Sequence, residues 1–289
     1  MKSLIDARLR AICARSTRPL RIVYADGGEL RHRPESPPEF TLRFRTAAAQ
    51  RRTALFGHVG LLDSWFDGEI DIDGDLAALF ALGLEGDFSQ PSPAVWLRNR
   101  WHEFRRSNRD RQQAKDNARF HYGLGTDFYR LWLDRELLMY TCGYWPEGTA
   151  TVEQAQVNKV EHVCRKVLLA PGETVIDIGC GFGGFMFHAA KHYDARVTGL
   201  NTTPEQVGWL REEIARRGLG AQLDVREADF REVDRQYDKV VSIGVLEHAG
   251  RDQVDQVVRA HADFLKPGGL GMLHFIGHVG RYPTEFFIR

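Results

Sequence analysis

A glycine-rich stretch in the second half of the chain is the first place where residue type and spacing suggest chemistry. The stretch that begins at Asp177 reads DIGCGFGG, so Gly179, Gly181 and Gly184 satisfy the spacing G-x-G-x-x-G. Glycine is needed in such a turn because the backbone comes close to a ligand and a Cβ atom would block it. A nicotinamide site has an apolar residue where this chain has Asp177, and an acid about twenty residues later, where this chain has Asn201. Both differences argue against NAD.

An acid at the end of the first strand, followed by G-x-G-x-G, resembles the class I S-adenosylmethionine-dependent methyltransferases. S-adenosylmethionine carries a cationic sulfonium and an α-ammonium group, which favour nearby carboxylate and carbonyl oxygens. The sequence READF places Asp229 and Phe230 at the end of the third predicted strand, where this superfamily holds adenine. We therefore predict S-adenosylmethionine as the cofactor, with Asp177 and Asp229 among its contacts. A tight turn that binds nothing is the alternative.

The stretch LLMYTCGYWPEG places Cys142 between Tyr140 and Tyr144. By itself it leaves open whether Cys142 is a small core residue or lines a reaction site. Four segments, HYGLGTDFYRLWLD, MYTCGYW, SIGVLEHAG and MLHFIG, match one family in chain order. Together they resemble the cyclopropane-fatty-acyl-phospholipid synthases, including the mycolic-acid cyclopropane synthases. The likeness is close over residues 120–289 and looser over residues 45–90.

The resemblance implies a reaction and a base. In the family a methyl group passes from the sulfonium to a cis double bond of an acyl chain, and the resulting cation loses a proton as the ring closes. A bicarbonate ion in the pocket is expected to take this proton, held by Cys142, Glu247, His274 and the backbone N–H of Ile276. A dry, apolar surrounding would protect the cation from water, and an aromatic ring such as that of Tyr144 can stabilise positive charge.

The same resemblance implies a larger set of cofactor contacts, which comprises Tyr140, Thr141, Gly179, Gly181, Asn201, Thr202, Gln206 and Phe230. Gln206 has a second interpretation, because Thr203, Pro204 and Gln206 also match the N-cap, N1 and N3 positions of a helix. His274, on an apolar strand, could likewise be a satisfied core histidine. The four cysteines show no CxxC pairing and no metal-ligand spacing, so no metal site is predicted.

The elements that must position these residues follow from the hydrophobic pattern. Strand and helix patterns alternate from residue 120, which indicates a parallel α/β sheet with strands at TVIDIG, RVTGLN, AQLDVREAD, DKVVSIGV and LGMLHFIG. A helix over about 151–168 begins with a capping box of Thr151 and Gln154. Its apolar face carries Val152, Ala155, Val160, Val163, Cys164 and Val167. The predicted fold class is α/β, a Rossmann-like class I methyltransferase fold, incomplete at the C-terminus and preceded by a small α+β domain.

Three blocks organise the chain. Residues 1–90 are predicted to form the α+β domain, with β-like runs RIVYADG, FTLRFRT and GEIDIDGDL, and to contact lipid or membrane or to mediate dimerisation, which makes a homodimer an option. Residues 91–119 are predicted to form a basic connector helix, and residues 120–289 the methyltransferase domain. The connector has eight basic residues against three acidic ones, with Trp101 and Phe104 on an aromatic stripe. It either lies on an anionic membrane face or is a solvated interdomain helix.

Composition narrows the class of protein. The chain has 289 residues and is 43% hydrophobic and 27% charged, which is ordinary for a soluble globular protein. Its basic and acidic residues both number 39, so the net charge argues neither for nor against a polyanionic partner, and no nucleic-acid partner is predicted. Unpaired cysteine spacing suits a reducing cytoplasm. The N-terminus lacks a signal-peptide core, and no run approaches the ~20 apolar residues that span a bilayer. We therefore expect a cytoplasmic protein, peripherally associated with the inner membrane.

The sequence thus predicts an enzyme that transfers a methylene group from S-adenosylmethionine to cis double bonds of unsaturated phospholipid acyl chains and forms cyclopropane fatty acids. The alternatives are a methyl-branching enzyme that uses the same cation, a small-amine N-methyltransferase, and an inactive, truncated lipid-binding module. The family normally continues through two more strands and a tyrosine of the anion site. For the sequence, which stops at TEFFIR, we therefore expect either a fragment or another element that covers the open edge of the sheet.

Overall fold

A computed structural model of the chain describes residues 2–85, 93–106, 108, 110–249 and 253–277. The described residues fall into two compact units, one within residues 2–105 and the other within residues 106–277. The boundary predicted at residues 90 and 91 lies outside the described residues. In the described part of the chain, no helix is both long enough and apolar enough to cross a membrane.

The first unit packs helices on a four-stranded mixed sheet. Its helices are Lys2–Cys13 (α1), Ala47–Phe56 (α2), His58–Phe66 (α3), Leu76–Glu85 (α4) and Pro93–Arg106 (α5), and its strands are Leu20–Val23 (β1), Glu29–His32 (β2), Phe40–Phe44 (β3) and Ile70–Gly74 (β4). The strand order is β2-β1-β3-β4, with β1 and β3 parallel and the other pairs antiparallel. Alternate residues of β3 are buried, as period-2 patterning requires. The predicted α+β class of this domain is confirmed.

The described residues of the basic segment 91–119 lie mostly in two helices and not in a single connector helix. The second of them, Arg111–Tyr122 (α6), begins where the Asp110 carboxylate accepts a hydrogen bond of 2.9 Å from the Gln113 amide. That contact satisfies an amide that a helix start otherwise leaves unpaired. On α5, the predicted aromatic stripe is exposed, since Trp101 and Phe104 have 59% and 82% of their surface accessible.

The second unit is a doubly wound parallel sheet. Its remaining helices are Thr126–Arg130 (α7), Val152–Lys166 (α8), Gly184–Tyr193 (α9), Pro204–Arg216 (α10) and Val254–Asp263 (α11), and its strands are Thr174–Ile178 (β5), Arg196–Asn201 (β6), Leu223–Glu227 (β7), Tyr237–Ile243 (β8) and Leu265–His274 (β9). The order is β7-β6-β5-β8-β9, and every neighbouring pair is parallel. All five predicted strands are confirmed.

The central strand β5 sets the position of the site. Val175 and Ile176 are fully buried between β6 and β8, as expected of a strand covered on both faces. Because parallel strands end at the same edge of the sheet, the residues that follow β5, β6, β7, β8 and β9 meet there. The glycine turn, Asn201, Asp229, Glu247 and His274 are all at or just beyond these ends.

The helix α8 begins as the sequence predicts. The hydroxyl of Thr151 accepts a hydrogen bond from the Gln154 amide at 3.2 Å, and the Gln154 side chain accepts one from the Ala150 amide at 2.9 Å. Cys164 is fully buried in the core, as expected. The predicted apolar face is wrong at its first residue, because Val152 lies at the first turn and is exposed.

Candidate active site

The glycine turn after β5 leaves open space beside the backbone. Gly179 has a φ of 72°, and a Cβ atom there would lie 2.5 Å from Cγ2 of Val245. Gly181 has a φ of 53°, and no described heavy atom lies within 4 Å of the place that its Cβ would take. Glycine is therefore required at the first position by both sterics and backbone conformation, and at the second by conformation. The space beside Gly181 belongs to a cavity.

This cavity has a volume of about 250 Å³ and lies entirely within the second unit. All ten residues predicted to contact the cofactor line it, namely Tyr140, Thr141, Asp177, Gly179, Gly181, Asn201, Thr202, Gln206, Asp229 and Phe230. The structure therefore brings together residues from the ends of β5, β6 and β7 and from the YTC segment. The structure shows that these residues line one cavity, and their contacts with a cofactor stay predictions.

Asp177 is the buried acid of the cavity. Its side chain is 3% exposed, and burial raises the pKa of its carboxyl to about 7. Desolvation disfavours the ionised form, and a cation bound beside the carboxylate would favour it again. The fourth residue of β5 is thus a carboxylate placed against a cavity, which suits a positively charged ligand.

Asn201 braces the glycine turn from the end of β6. Its amide nitrogen donates to the carbonyl of Gly181 at 3.1 Å and to Oε1 of Gln206 at 2.9 Å. Its oxygen accepts from the Thr203 amide at 2.8 Å. The alternative capping positions are confirmed, since Thr203 is the N-cap residue of α10 and Pro204 lies in its first turn, but the Thr203 side chain makes no capping hydrogen bond.

Asp229 lies just after β7, where it lines the cavity and forms an ion pair with Arg231. Its two carboxylate oxygens accept from the Arg231 guanidinium at 2.7 Å each. Burial raises the pKa of Asp229, but hydrogen bonds from the side chain and backbone of Arg231 outweigh it and leave the pKa below its ordinary value. The guanidinium also lies 5.5 Å from the centre of the Phe230 ring. This pair holds Phe230 at the cavity wall.

Helix α6 also contributes residues to this cavity, and these were not predicted from the sequence. Ala114, Asn117, Ala118 and Tyr122 line it, and the Tyr122 hydroxyl lies 2.8 Å from Nε2 of His248. A signal was present in the sequence, since these small and polar residues recur at the spacing of one helix face. The many basic residues of segment 91–119 instead favour a membrane-facing or solvated helix.

The residues predicted to hold the base are Cys142, Glu247, His274 and Ile276, which we call the cluster. They are not part of the cavity wall but lie next to it. The Ile276 amide donates to Oε1 of Glu247 at 2.7 Å, and the carbonyl of His274 accepts from the Gly244 amide at 2.8 Å. A Cβ atom on Gly244 would lie 2.5 Å from Cγ2 of Thr141, the residue before Cys142. Gly244 and Thr141 both line the cavity. The cluster and the cavity therefore share a wall.

Two polar atoms of this cluster are buried with unused hydrogen-bonding capacity. Within the described residues, Nδ1 of His274 and Oε2 of Glu247 have no hydrogen-bond partner. Cys142 is exposed and is therefore not a core residue. An unpartnered imidazole nitrogen and carboxylate oxygen offer a ligand both a donor and an acceptor, whereas the part of Cys142 in the same site stays a prediction.

Two buried side chains fasten the segment that carries Cys142. The Asp134 carboxylate accepts hydrogen bonds from the amides of Leu137, Leu138 and Met139 at 2.6–3.1 Å. Gln156 on α8 donates to the carbonyl of Thr141 at 2.8 Å and to that of Met139 at 3.3 Å. Backbone fixed at this many points holds Tyr140, Thr141 and Cys142 in place before any ligand binds.

Comparison with known proteins identifies the family. The model of the family described as mycolic acid cyclopropane synthetase matches residues 109–286, which is more than half of the chain. The chain belongs to this family. The predicted resemblance is thereby confirmed, and the matched residues include the whole cavity wall described from Ala114 onward together with the cluster around Cys142.

Named relatives agree with the family. A protein of Pseudomonas putida named probable fatty acid methyltransferase is 29% identical over 280 residues, covering 94% of this chain and 69% of that protein. The cyclopropane-fatty-acyl-phospholipid synthase of Escherichia coli K12 is 31% identical over 237 residues, covering 78% of this chain and 58% of that enzyme. The chain thus spans less than two thirds of the Escherichia coli enzyme's length.

Solved structures of the family share the fold. The cyclopropane synthase MmaA2 from Mycobacterium tuberculosis is 32% identical with a TM-score of 0.52, over 54% of this chain and 55% of that chain. The mycolic acid cyclopropane synthase CmaA1, solved in complex with SAH and CTAB, is 32% identical with a TM-score of 0.50, over 53% of each chain. The predicted Rossmann-like methyltransferase fold is confirmed.

Proposed function

We propose that the protein transfers a methylene group from S-adenosylmethionine to cis double bonds of unsaturated phospholipid acyl chains and forms cyclopropane fatty acids. One observation carries the proposal. A cavity with the residues suited to S-adenosylmethionine shares a wall, made by Thr141 and Gly244, with a polar cluster suited to a small base. A methyl transfer followed by loss of a proton needs both sites side by side.

The cavity residues fit S-adenosylmethionine on two grounds. The buried Asp177 carboxyl has its pKa raised by burial, so a cationic ligand group would relieve the cost of ionising it. The open space at Gly181 allows a ligand to approach the backbone. Asp177 would hold the cationic part of the cofactor, and Phe230, fixed through the Asp229–Arg231 pair, would pack on the adenine. When bound, the cofactor supplies the methyl group that is transferred.

The cluster residues fit a hydrogencarbonate anion. Such an ion supplies a base for the proton that is lost on ring closure. It has one O–H group and two further oxygens, so Oε2 of Glu247 can accept from it while a neutral His274 ring donates to it. Burial, with the charge of Lys159, lowers the pKa of His274, while Glu247 opposes this shift. A neutral imidazole therefore remains as donor, and the Cys142 thiol would complete the site.

The surface near the cavity suits an acyl-chain substrate. Between residues 120 and 132, five large apolar side chains are exposed, namely Phe120, Leu124, Phe128, Leu131 and Trp132. Soluble monomers rarely expose so many neighbouring apolar groups, and such surfaces mark contact with lipid or protein. Trp132 packs edge-on against Tyr140 at a centroid distance of 4.9 Å, which joins this surface to the cavity wall. The apolar residues would exclude water from the reacting chain.

A peripheral membrane role is part of the proposal. Exposed aromatic residues on α5 lie under arginines, with the Arg100 guanidinium 5.7 Å from the Trp96 ring centre and that of Arg105 4.8 Å from Trp101. Aromatic rings prefer the headgroup level of a bilayer, and arginines bind anionic lipid. This face would bring the enzyme to its phospholipid substrate.

The test is lipid mass spectrometry. Protein would be incubated with S-adenosylmethionine and monounsaturated phospholipid vesicles, with and without bicarbonate. We expect a product heavier by one methylene that has no double bond, and we expect Cys142→Ala and Glu247→Gln to lose it while still binding the cofactor. A product of the same mass that keeps its double bond would instead establish methyl branching, a candidate favoured by the name of the Pseudomonas putida relative. Absence of any lipid product, with intact cofactor binding, would contradict both.

A further inference from the structure

Lys159, on α8, is a buried charge to which the proposed reaction assigns no role. Its side chain is 2% exposed, and its ammonium donates a hydrogen bond of 2.5 Å to the Thr141 hydroxyl. Within the described residues, no carboxylate oxygen lies within 4.0 Å of the Lys159 ammonium. Burial of an ammonium without a partner charge is costly, so buried lysines are normally paired with an anion. The described part of the chain therefore places no such anion at contact distance.

The geometry connects Lys159 to the cluster that would hold the base. Its hydrogen-bond partner Thr141 precedes Cys142 and packs on Gly244, where a Cβ atom would lie 2.5 Å from Cγ2 of Thr141. The Gly244 amide in turn donates to the carbonyl of His274. Three consecutive contacts therefore lead from the ammonium to the cluster. The ammonium also fixes the side chain that forms the wall between cluster and cavity.

The electrostatic couplings agree with this placement. Burial lowers the pKa of Lys159 to about 8, with Asp134 and then Cys142 opposing the shift. The Lys159 charge is also the second cause, after burial, that lowers the pKa of His274, while Glu247 raises it. At neutral pH the positive charge of the cluster therefore lies on Lys159 and not on the imidazole.

We propose that Lys159 is a positioning residue that supplies the positive charge of the anion site and holds Thr141 against it. The inference rests on the proposed function, because it assumes an anion beside Cys142. With His274 neutral, Glu247 would leave the cluster negative and would repel an anion. Asp134 adds a second negative charge nearby, although three backbone amides already bind it. The Lys159 ammonium offsets this repulsion.

The experiment measures bicarbonate binding by calorimetry in the full chain with S-adenosylhomocysteine bound, a ligand that has no methyl group to transfer. Lys159→Met keeps the length of the side chain without its charge, and Lys159→Arg keeps the charge. At pH 7 we expect about tenfold weaker bicarbonate binding by Lys159→Met, because a nearby buried charge is lost. Lys159→Arg should restore most of the affinity. The circular dichroism spectrum and the melting temperature of each variant serve as the control for folding.

The pH profile separates a charge role from a packing role. Because the pKa of Lys159 is about 8, the affinity of the unmodified protein for bicarbonate should fall as pH rises from 7 to 9. Lys159→Met should lose this dependence, and Lys159→Arg should retain affinity at the alkaline end. Equal affinity and an equal pH profile in Lys159→Met would overturn the inference while leaving the proposed function intact. If Lys159→Met does not fold, the inference is still overturned when the affinity of the unmodified protein for bicarbonate stays constant from pH 7 to 9.

A different result would count against the proposed function itself. If the unmodified protein binds S-adenosylhomocysteine but no bicarbonate at any pH, then the cluster is not an anion site. The role of Lys159 would fall with it. The two failures are therefore distinguishable in the same set of titrations.

Discussion

The buried acid of the cavity offers a direct test of cofactor binding. Burial raises the pKa of Asp177 from 3.8 to about 7 in the unliganded protein. If Asp177 holds the cationic part of S-adenosylmethionine, the cofactor binds the carboxylate form and must displace a proton whenever Asp177 is protonated. The affinity for S-adenosylmethionine should therefore fall as the pH drops through 7. An aspartate with an ordinary pKa would cause such a fall only at about pH 4.

The magnitude follows from the fraction of Asp177 that is protonated. With a pKa of about 7, roughly nine tenths of the carboxyl groups are protonated at pH 6 and roughly one tenth at pH 8. The affinity should be about tenfold weaker at pH 6 than at pH 8, and binding at pH 6 should release about 0.9 protons. The amino group of the cofactor also titrates in this range, but it affects the unmodified protein and Asp177→Asn alike. The ratio of their affinities isolates Asp177.

Calorimetry in two buffers of different ionisation enthalpy measures both quantities. We expect Asp177→Asn to bind more weakly at pH 8, without the proton release that the unmodified protein shows at pH 6. An affinity of the unmodified protein that is equal at pH 6 and pH 8, with no proton release, would refute a contact between Asp177 and the cationic cofactor.

The same buried carboxyl makes a prediction about stability. Because the folded-state pKa lies above the unfolded value, the cost of ionising Asp177 is absent below pH 3.8, grows as the pH rises to 7 and is complete above it. A difference of about three pKa units corresponds to about 4 kcal/mol. Unliganded Asp177→Asn should therefore melt at a higher temperature than the unmodified protein at pH 8, and the gap should close at pH 4. A gap independent of pH would show that ionisation is not its cause.

Two further predictions concern the cavity wall and the membrane. Gly244→Ala forces a Cβ atom against Thr141 at a φ of 70°, so the affinity for S-adenosylmethionine should weaken by about tenfold. The control is Gly208→Ala in α10, where the space around the new Cβ atom is open. It should leave the affinity unchanged and stabilise the protein by up to about 1 kcal/mol. Reversing both Arg100 and Arg105 to Glu should weaken binding to anionic vesicles by about 30-fold or more, at about 1 kcal/mol per basic residue, and equal vesicle binding would contradict a membrane-facing α5.

Much of the fold could be predicted because apolar runs and glycine turns report local structure directly. The five strands of the parallel sheet and the start of α8 are of this kind. The strand β2 was not predicted, because Leu30 is its one buried residue and its other three are polar. Short strands of this kind form only when a neighbour pairs with them, here β1.

The site was predictable where a motif marks it and not where tertiary structure makes it. The ten predicted cofactor contacts come from the glycine turn, the strand ends, the start of α10 and the YTC segment, which all carry sequence signals. Lys159 carries none, since a lysine in a helical pattern is expected to face water. Its burial, at 2% exposure, results from the segment that packs over it.

That packed segment explains why the two halves of the site cannot be separated. Residues 137–144 lie on α8, where the Tyr144 amide donates to the carbonyl of Ala155 and a Cβ atom on Gly143 would meet that of Ala155 at 2.8 Å. Tyr140 and Thr141 of this segment line the cavity, and the next residue, Cys142, belongs to the predicted cluster. On the proposed function, a displacement of this backbone would move a cofactor contact and a base contact together. Rigid support from α8 would then fix the distance between the methyl donor and the base.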